Sequence, residues 1–267
     1  MTPADSSDDS AGRHDYSRFW SGVGRTFPDL GGAASTAYYR SNEERLFVEH
    51  LPRLDGLRVL KTDLWDEAKN TRILLWAAEQ GAVIHGIDIS EPTARLALDA
   101  EPRVPRQVVV ADCRHIPYAS GSFDAVYSMG TIEHFDESAD AVREMCRVLK
   151  PGGRAIVGVP NRLDPFLRPL LVVALSAVGL YGYGFEKSYT RSALRRMMTS
   201  SGFSVVAETA ILFIPGWLRM LDLACHAWMR PLTPLTGVMV KFFALIDRHV
   251  PAVRRHGYLI VAVGEKR

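Results

Sequence analysis

The stretch from Val108 to Arg162, "VVVADCRHIPYASGSFDAVYSMGTIEHFDESADAVREMCRVLKPGGRAIVGVPNR", decides the fold of this 267-residue chain. It contains three short apolar runs, "VVVAD", "FDAVYSMG" and "RAIVGVP", which have the length and residue types of buried β-strands. Between the last two runs, apolar residues recur at helical spacing until Pro151-Gly152-Gly153 stops the helix. Continuous apolar strands that alternate with helices predict a parallel sheet covered by helices on both faces.

The same alternation continues on both sides of this stretch. Upstream, "LRVLKTDL" and "AVIHGIDIS" are strand-like, whereas "TRILLWAAEQG" and "EPTARLALDAE" are helical. Downstream, a helix is predicted with Thr190 as its N-cap and Gly202 near its end, and "SVVAETAIL" and "GYLIVAVGE" are predicted to be the last two strands. About forty largely apolar residues separate those strands, and a segment so long predicts a helical insertion because structureless loops of that length are uncommon. The pattern therefore predicts a doubly wound α/β fold.

Composition and charge divide the chain further. Residues 1–149 hold 16 Lys and Arg against 24 Asp and Glu, whereas residues 150–267 hold 16 against 6. Three cysteines without close spacing predict buried thiols in a reducing compartment rather than a disulfide framework. The polar N-terminus lacks the pattern of a signal peptide. We predict a disordered tail at 1–15, an N-terminal helical cap at 16–57, an α/β core at 58–162, and a C-terminal half at 163–267 that carries apolar helical insertions and the last strands.

Polar residues follow several predicted strands at the edge where an open parallel sheet binds its ligands. Asp88, followed by Ile89, ends the second strand, where a carboxylate can accept both hydroxyls of a ribose or can cap the next helix. Asp112 ends the third strand and can accept a hydrogen bond from an exocyclic amine such as that of adenine, while the Cys113 backbone donates to a ring nitrogen. A turn-forming role for Asp112 is the alternative.

Past the fourth strand, Ser128 and Met129 are expected to line the site, with Glu133 and His134 at its rim. A neighbouring Glu and His can form a metal or acid–base pair, or simply begin a solvated helix. We predict no metal site.

In order and spacing, these elements resemble class I S-adenosylmethionine-dependent methyltransferases, particularly the small-molecule group that includes the ubiquinone and menaquinone methyltransferases. The matching elements are Asp112 with a following Ile-Pro-Tyr in place of the usual Leu-Pro-Phe, then "SFD", Glu133-His134 and "RVLKPGG". The resemblance covers most of 58–162 and returns near the C-terminus. It implies a mostly parallel, Rossmann-like seven-stranded sheet with helical lid insertions, S-adenosyl-L-methionine as cofactor, and an in-line attack of the acceptor on the sulfonium methyl, aided by alignment and exclusion of water.

The resemblance also implies roles for individual residues. Asp88 and Ile89 would bind the ribose, and Asp112 and Cys113 would face the adenine. Ser128 and Met129 would line the site near the reacting end of the cofactor. Where the acceptor is a hydroxyl, His134 is the candidate catalytic base by position.

The first strand departs from the family. "RVLKTDLWDEAKN", Arg58 to Asn70, contains no glycine, where the family runs from Val-Leu-Asp into a glycine-rich turn that lets backbone approach the cofactor. Side chains of this turn would have to act instead: Lys61 would pair with the methionine carboxylate, and Asp63 or Glu67 would accept from the ammonium, with Thr62 beside them. The alternative is a longer solvated turn with internal Lys–Asp pairing and reduced or absent cofactor affinity.

The apolar runs of the C-terminal half predict a lid over a hydrophobic acceptor. The longest uncharged run, residues 169–185, falls at or below the ~17 to 25 residues that a spanning helix needs, so no transmembrane segment is predicted. Two interpretations stay open: a lid alone, or a lid that also rests on an anionic membrane surface through Trp217, Trp228 and Phe213 with neighbouring arginines. No nucleic-acid motif is present, so nucleic-acid binding is not expected.

The leading hypothesis is methyl transfer to a lipophilic small molecule or lipid-linked intermediate, preferably at oxygen, by a cytoplasmic protein that could also lie at the inner face of the membrane. A catalytically silent methyltransferase-like protein that binds a partner or a membrane surface is the alternative. A nicotinamide-dependent oxidoreductase is disfavoured because no G-x-G-x-x-G follows the first strand.

Overall fold

The computed structural model describes residues 8–51, 53–102 and 104–267, with side chains from residue 16 onward. The described residues form seven β-strands and ten α-helices. The strands are β1 (Arg58–Lys61), β2 (Val83–Asp88), β3 (Arg106–Val110), β4 (Phe123–Met129), β5 (Leu149–Pro160), β6 (Phe203–Ile211) and β7 (Leu259–Lys266). The helices are α1 (Asp8–Thr26), α2 (Ala34–His50), α3 (Trp65–Lys69), α4 (Ile73–Glu79), α5 (Glu91–Asp99), α6 (Ser138–Val148), α7 (Arg168–Ala177), α8 (Arg191–Ser200), α9 (Gly216–Trp228) and α10 (Thr233–His249).

All seven strands belong to one sheet, in the order β3-β2-β1-β4-β5-β7-β6. The first five strands of the chain are parallel, and β7 runs antiparallel between β5 and β6. This topology confirms the predicted doubly wound, mostly parallel, Rossmann-like sheet. Strand order reverses between β1 and β4, so the carboxyl ends of these two strands, at Lys61 and Met129, border the crevice where such sheets bind ligands.

Helices cover both faces of the sheet, which explains why the strands are continuous apolar runs. Successive residues of β1 point to opposite faces, and both Val59 and Leu60 are fully buried. Val59 packs with α2 and α4 through Phe47 and Leu74. Leu60 belongs to the core on the other face, where α6 contributes Met145.

Local signals place the helix ends as predicted. The Thr190 side chain accepts a hydrogen bond from the Ala193 N–H at 3.3 Å and so caps α8, and Gly202 follows α8 with a φ of +100°. Ser90, rather than Asp88, is the N-cap of α5, since its hydroxyl accepts from the Thr93 N–H at 3.2 Å. The Asp88 carboxylate is therefore not used as a helix cap.

The N-terminal region differs from the prediction in where its helix begins. Residues 1–7 of the predicted tail lie outside the described residues, and α1 begins at Asp8, within the remainder of the tail. Helix α1 lies against α5 and is tied to the end of β2, where the Ser17 hydroxyl donates to the Ile89 carbonyl at 3.2 Å. These contacts depend on residues distant in sequence, so composition alone does not indicate them.

Two helical insertions form the rest of the C-terminal half. Helices α7 and α8 lie between β5 and β6, and α9 and α10 lie between β6 and β7, where an insertion was predicted. Helices α9 and α10 pack on each other and on α2. Among the described helices, none is long and apolar enough to cross a membrane.

Candidate active site

A large cavity opens beyond the carboxyl ends of the strands, with about 210 Å³ of solvent-accessible volume. One side of it, the sheet wall, is formed by residues that follow β1 to β4: Thr62, Asp63, Asp88, Ile89, Asp112, Cys113 and Met129. The other side, the helical wall, is formed by residues of α1, α7 and α9: Tyr16, Trp20, Arg168, Val172, Gly216, Arg219, Met220 and Leu223. One cavity thus joins the two halves of the sequence.

The glycine-free first loop passes the sheet because a neighbouring strand supplies the glycine. Leu64 lies over β2 at Gly86, where an added Cβ would stand 2.4 Å from a Leu64 methyl carbon. The Thr62 N–H donates to the Tyr127 carbonyl at 3.1 Å and extends the pairing of β1 with β4 by one residue. The absence of a side chain at Gly86 thus leaves room for Leu64 of the first loop against the sheet.

Lys61 lies beneath the cavity and is fully buried. Its ammonium donates to the Asp63 carbonyl at 3.1 Å and to the carboxylates of Asp63 and Asp66 at 3.2 and 3.4 Å, and it lies 4.0 Å from Glu67. Although burial opposes its charged form, the nearby carboxylates raise the pKa of Lys61. Lys61 is therefore the counter-ion of the acidic loop, and the structure does not bring its ammonium to the sheet wall as the sequence suggested.

Three of the surrounding carboxyl groups, those of Glu43, Asp66 and Glu67, are buried. Burial raises the pKa of Glu67 to about 7, against the opposing effect of Lys61. Burial and the neighbouring Asp66 raise the pKa of Glu43 well above its usual range, and Glu43 accepts from the Tyr127 hydroxyl at 2.8 Å. Glu67 accepts from the Leu74 N–H at 3.0 Å and lies behind the loop. Of the two acids predicted to accept from an ammonium, Asp63 is the one that lines the cavity.

Asp63 links the two strands that border the crevice. One of its carboxylate oxygens accepts from Lys61, and the other accepts from the Thr131 hydroxyl at 2.7 Å, beyond the end of β4. Its side chain remains 16% exposed, so a cation in the cavity can reach it. The arrangement fixes the orientation of a carboxylate at the floor of the cavity.

Asp88 is held by backbone on both oxygens. Oδ2 accepts from the Leu64 N–H at 2.8 Å, and Oδ1 accepts from the Ser90 N–H at 2.7 Å. Burial raises the pKa of Asp88 to about 7, despite the lowering effect of these two hydrogen bonds. Each oxygen keeps a further lone pair, so the carboxylate can still accept two hydroxyl groups from the cavity.

Asp112 is paired with an arginine that the sequence analysis did not single out. The Arg114 guanidinium binds both oxygens of Asp112, at 2.7 Å for the closest contact, and also binds Glu137 at 2.7 Å. Its guanidinium lies over the rings of Tyr16 and Phe135 at 5.2 and 5.0 Å. Arg114 follows Asp112 by two residues in the sequence, and this spacing was a signal for the pair. Most of the accepting capacity of Asp112 is therefore used within the protein.

The backbone N–H of Cys113, the residue after Asp112, remains available to a ligand. Across the described part of the chain, no acceptor takes the Cys113 N–H, and the Cys113 side chain is buried in the sheet wall. A backbone N–H at this position can donate a hydrogen bond to a ring nitrogen. Cys113 is therefore better placed than Asp112 to bind a purine.

Met129 reaches the cavity, whereas Ser128 does not. The Met129 thioether lies against β5 at Gly158, where an added Cβ would stand 1.9 Å from the sulfur, so a larger residue there would displace the end of the Met129 side chain. Successive residues of β4 face opposite sides, and the Ser128 side chain is buried within the protein. Only one of these two predicted residues is in the sheet wall.

His134 follows β4 in a short 3-10 turn and lines the cavity next to α1. Its Nδ1 lies 2.7 Å from the Phe185 carbonyl, and its ring packs edge-on against Trp20 at 4.8 Å. Because a carbonyl only accepts, Nδ1 carries the proton, which leaves Nε2 as an acceptor in the neutral ring. Burial lowers the pKa of His134 and favours that neutral form.

Glu133 also lines the cavity, next to His134 in the sequence. Burial, followed by the neighbouring Glu186, raises the pKa of Glu133 well above its usual range. Among the described residues, no group of three or more His, Cys, Asp or Glu is arranged to hold a metal ion.

The helical wall contains charged groups that sequence patterns did not reveal. Arg168 forms a two-pronged pair with Glu186, at 2.5 and 2.8 Å, and lies 4.1 Å over the ring of Tyr258. Tyr181 also donates to Glu186. The apolar run around Arg168 predicted a lid helix, but nothing in it indicated that a buried ion pair would face the ligand.

Comparisons with known proteins agree with this geometry. Residues 49–157 match the model of a methyltransferase domain family. The chain is 29% identical over 188 residues to a demethylmenaquinone methyltransferase of Thermus thermophilus, an alignment that covers 64% of this chain and 83% of that protein. It is 35% identical over 89 residues to methyltransferase GfsG of Streptomyces halstedii, covering 31% of each. The chain thus spans less than a third of the latter relative.

The fold extends the likeness over nearly the whole chain. A solved structure described as an S-adenosylmethionine-dependent methyltransferase, possible histamine N-methyltransferase, from Thermotoga maritima superposes with a TM-score of 0.61 and 18% identity, covering 95% of this chain and 99% of that one. The core of this chain is a class I S-adenosylmethionine-dependent methyltransferase domain. The cofactor of this family is S-adenosylmethionine, as the sequence motifs implied.

The residues of the methyltransferase cavity fit that cofactor chemically. S-adenosylmethionine presents ribose hydroxyls, a purine, an ammonium and a carboxylate. Asp88 can accept from the hydroxyls, the Cys113 N–H can donate to the purine, and Asp63 can accept from the ammonium. Of the site residues predicted from the sequence, the cavity joins Thr62, Asp63, Asp88, Ile89, Asp112, Cys113, Met129 and His134, whereas Lys61 and Ser128 are buried behind it.

Proposed function

We propose that this methyltransferase transfers the methyl group of S-adenosylmethionine to a hydroxyl oxygen of a lipophilic small molecule or lipid-linked intermediate. The observation that carries the proposal is the single cavity that joins Asp88 and Asp63 on the sheet wall to His134 and an aromatic, largely apolar helical wall. The first group suits a polar nucleoside with an amino-acid tail. The second group suits an apolar acceptor that carries a weakly acidic proton.

The sheet wall supports a defined orientation of the cofactor. Asp88 is fixed by two backbone N–H groups, so its free lone pairs point in set directions for the two ribose hydroxyls. The Cys113 N–H lies one strand farther along the sheet for the purine, and Asp63 lies at the opposite side for the ammonium. Met129, which also lines the cavity, would contact the reacting end of the cofactor.

His134 supports transfer to oxygen. Its Nδ1 is committed to the Phe185 carbonyl and its ring is held by Trp20, so Nε2 is the nitrogen that can accept a proton. When bound, S-adenosylmethionine would supply an electrophilic methyl group to the acceptor oxygen and leave as S-adenosylhomocysteine, and Nε2 of His134 would take the hydroxyl proton. A lowered His134 pKa keeps this base neutral at physiological pH.

The helical wall supports a lipophilic acceptor. Met220, Leu223 and Val172 contribute aliphatic surface, and outside this wall Trp65 and Tyr183 also line the cavity and pack edge to face at 5.9 Å. Such a surface excludes water from the reacting atoms and binds apolar groups. The name of the Thermus thermophilus relative, a demethylmenaquinone methyltransferase, is consistent with an acceptor of this kind.

The test has two stages. Calorimetric titration of the folded protein with S-adenosylhomocysteine should show binding; no binding at millimolar concentration contradicts the proposal and favours the catalytically silent alternative. A panel of polyprenylated phenols and quinols is then incubated with methyl-labelled S-adenosylmethionine, and the products are analysed for the position of the label. Label on oxygen supports the proposal, whereas label on carbon or on added amines contradicts its oxygen assignment.

We also propose that the insertion helices rest on an anionic phospholipid surface while the acceptor enters. Helix α10 exposes an apolar face at helical spacing, since Leu235, Val238, Phe242 and Leu245 are each more than half exposed. An outward apolar face of this length is unusual for a helix surrounded by water. Trp228, at the end of α9, is 72% exposed and is a residue type that favours the membrane interface.

The charge of the same half supports this orientation. Exposed Lys241 and Arg248 lie on α10 and can meet anionic head groups. A lipid surface would also deliver a lipophilic acceptor directly to the helical wall. The apolar face and the basic residues therefore point to the same partner.

Vesicle flotation tests the membrane proposal with a matched pair of variants. Val238 on α10 and Val48 on α2 are each 68% exposed. Val238→Ser should weaken binding to vesicles that contain phosphatidylglycerol by about fivefold, whereas Val48→Ser should not. No flotation of the wild type, or equal flotation with pure phosphatidylcholine vesicles, contradicts the anionic surface.

A further inference from the structure

The three arginines of the cavity differ in their partners. Arg114 is paired with Asp112 and Glu137, and Arg168 is paired with Glu186. Arg219, on α9, has no carboxylate oxygen within 4.0 Å among the described residues, and its Nη1 is a buried atom without a hydrogen-bond partner. A guanidinium left without a counter-ion in a partly buried site is costly, so this one is suited to an anionic ligand.

The position of Arg219 is fixed by its surroundings. Its guanidinium lies over the ring of Tyr39 at 4.9 Å and over the ring of Tyr258 at 5.6 Å. One turn farther along α9, Asp222 accepts from the Ser35 N–H and from the Thr236 hydroxyl, each at 2.7 Å, and so ties α9 to α2 and α10. The planar, positioned guanidinium matches the geometry of a carboxylate.

Acidic groups also influence Tyr39, the residue over which the Arg219 guanidinium lies. Burial is the main cause that raises the pKa of the Tyr39 hydroxyl, and Asp66 and Asp63 raise it further while Arg219 lowers it. Tyr39 also lines the cavity, between the end of β1 and α9. The cavity therefore presents both a carboxylate, Asp63, and a cation, Arg219, which are the two charges that a zwitterionic amino acid requires.

We propose that Arg219 binds the methionine carboxylate of the cofactor, while Asp63 accepts from its ammonium. This inference rests on the proposed function. It assigns to the insertion between β6 and β7 the anion contact that the first loop cannot make, because Lys61 is committed to Asp63 and Asp66 beneath the cavity. Helix α9 would then cover the acceptor and also complete the cofactor site.

The assignment is tested by pairing a ligand change with a residue change. Affinities for S-adenosylhomocysteine and for its decarboxylated analogue, S-adenosyl-3-thiopropylamine, are measured by calorimetry for the wild type, Arg219→Gln, Arg219→Lys and Arg230→Gln. Arg230 is exposed in the same insertion and controls for loss of charge. Thermal unfolding of each variant verifies that the fold is retained.

The wild type should bind S-adenosylhomocysteine on the order of 30-fold more tightly than the analogue. Arg219→Gln should lose most of that preference while its affinity for the analogue stays unchanged, Arg219→Lys should fall between, and Arg230→Gln should match the wild type. Equal weakening of both ligands by Arg219→Gln overturns the assignment. Unchanged affinity for S-adenosylhomocysteine with a raised acceptor KM also overturns it and moves the anion to the acceptor. Failure of the wild type to bind either nucleoside overturns the proposed function itself.

Discussion

The sheet wall of the cavity carries carboxylates, whereas the helical wall carries arginines and aromatic rings. Asp63, Asp88 and Asp112 follow parallel strands and are oriented by nearby backbone or side-chain donors. Arg168 and Arg219 come from insertions and are oriented by tyrosine rings. The sheet wall recognises polar groups at positions that the fold dictates, and the helical wall can vary because helices inserted between strands do not alter the sheet.

The largest expected effect concerns the support of the sheet wall. Lys61→Met should lower the free energy of unfolding by about 3–5 kcal/mol, because it leaves Asp63, Asp66 and Glu67 without their buried counter-ion. Urea unfolding provides the measurement, with Lys241→Met as the exposed control. A stable Lys61→Met protein that has lost only cofactor affinity would mean that Lys61 is a ligand rather than a counter-ion.

Loss of the ribose acceptor should be the next largest effect. Asp88→Asn should weaken binding of S-adenosylhomocysteine at least about 150-fold, since two charge-assisted hydrogen bonds are replaced by poorer ones. Asp124→Asn is the control, because Asp124 also accepts from a backbone N–H, that of Arg58, but at the opposite edge of the sheet. Equal losses in both variants would indicate a general effect on the fold.

Replacement of His134, the proposed base, should change the reaction rate rather than the affinity for the cofactor product. His134→Gln should lower kcat about 100-fold and leave the affinity for S-adenosylhomocysteine unchanged. Because the His134 pKa is lowered from 6.5, the wild-type rate should be level above about pH 6.5 and should fall only in more acidic solution. An unaltered kcat in the variant would remove the base from the proposed step.

The smallest expected effect is the pH dependence of the affinity for S-adenosylhomocysteine, which we assign to Asp88 on the sheet wall. The pKa of Asp88 is about 7, and the ionised form is the better acceptor, so full affinity should be present above that pH and be lost as the pH falls through it. Affinity for S-adenosylhomocysteine should fall about tenfold from about pH 8 to about pH 6 in the wild type. The same titration of Asp88→Asn should be flat, and a matching slope in that variant would assign the titration to another group.

The value of sequence-based prediction differs between the two walls. Asp88, Asp112 and Cys113 were found because strand ends follow from hydrophobic runs and because parallel strands share one edge. Ser128 was predicted to line the cavity together with Met129, but neighbouring residues of a strand face opposite sides. The Ser128 side chain therefore points into the protein. Arg219 was noticed only as a basic residue of an apolar segment, since nothing local shows which face of an inserted helix meets the cavity.

The sequence by itself determined the doubly wound sheet, the ends of its strands to within a few residues and the family of the core, because these depend on local periodicity and on motifs of fixed spacing. Only the tertiary structure decided where the charges point. Lys61 faces a buried carboxylate cluster because Gly86 on the next strand admits Leu64 and lets the loop close over it. Arg219 faces the cavity because Asp222 binds Ser35 across 187 residues of sequence, a contact that only the folded chain creates.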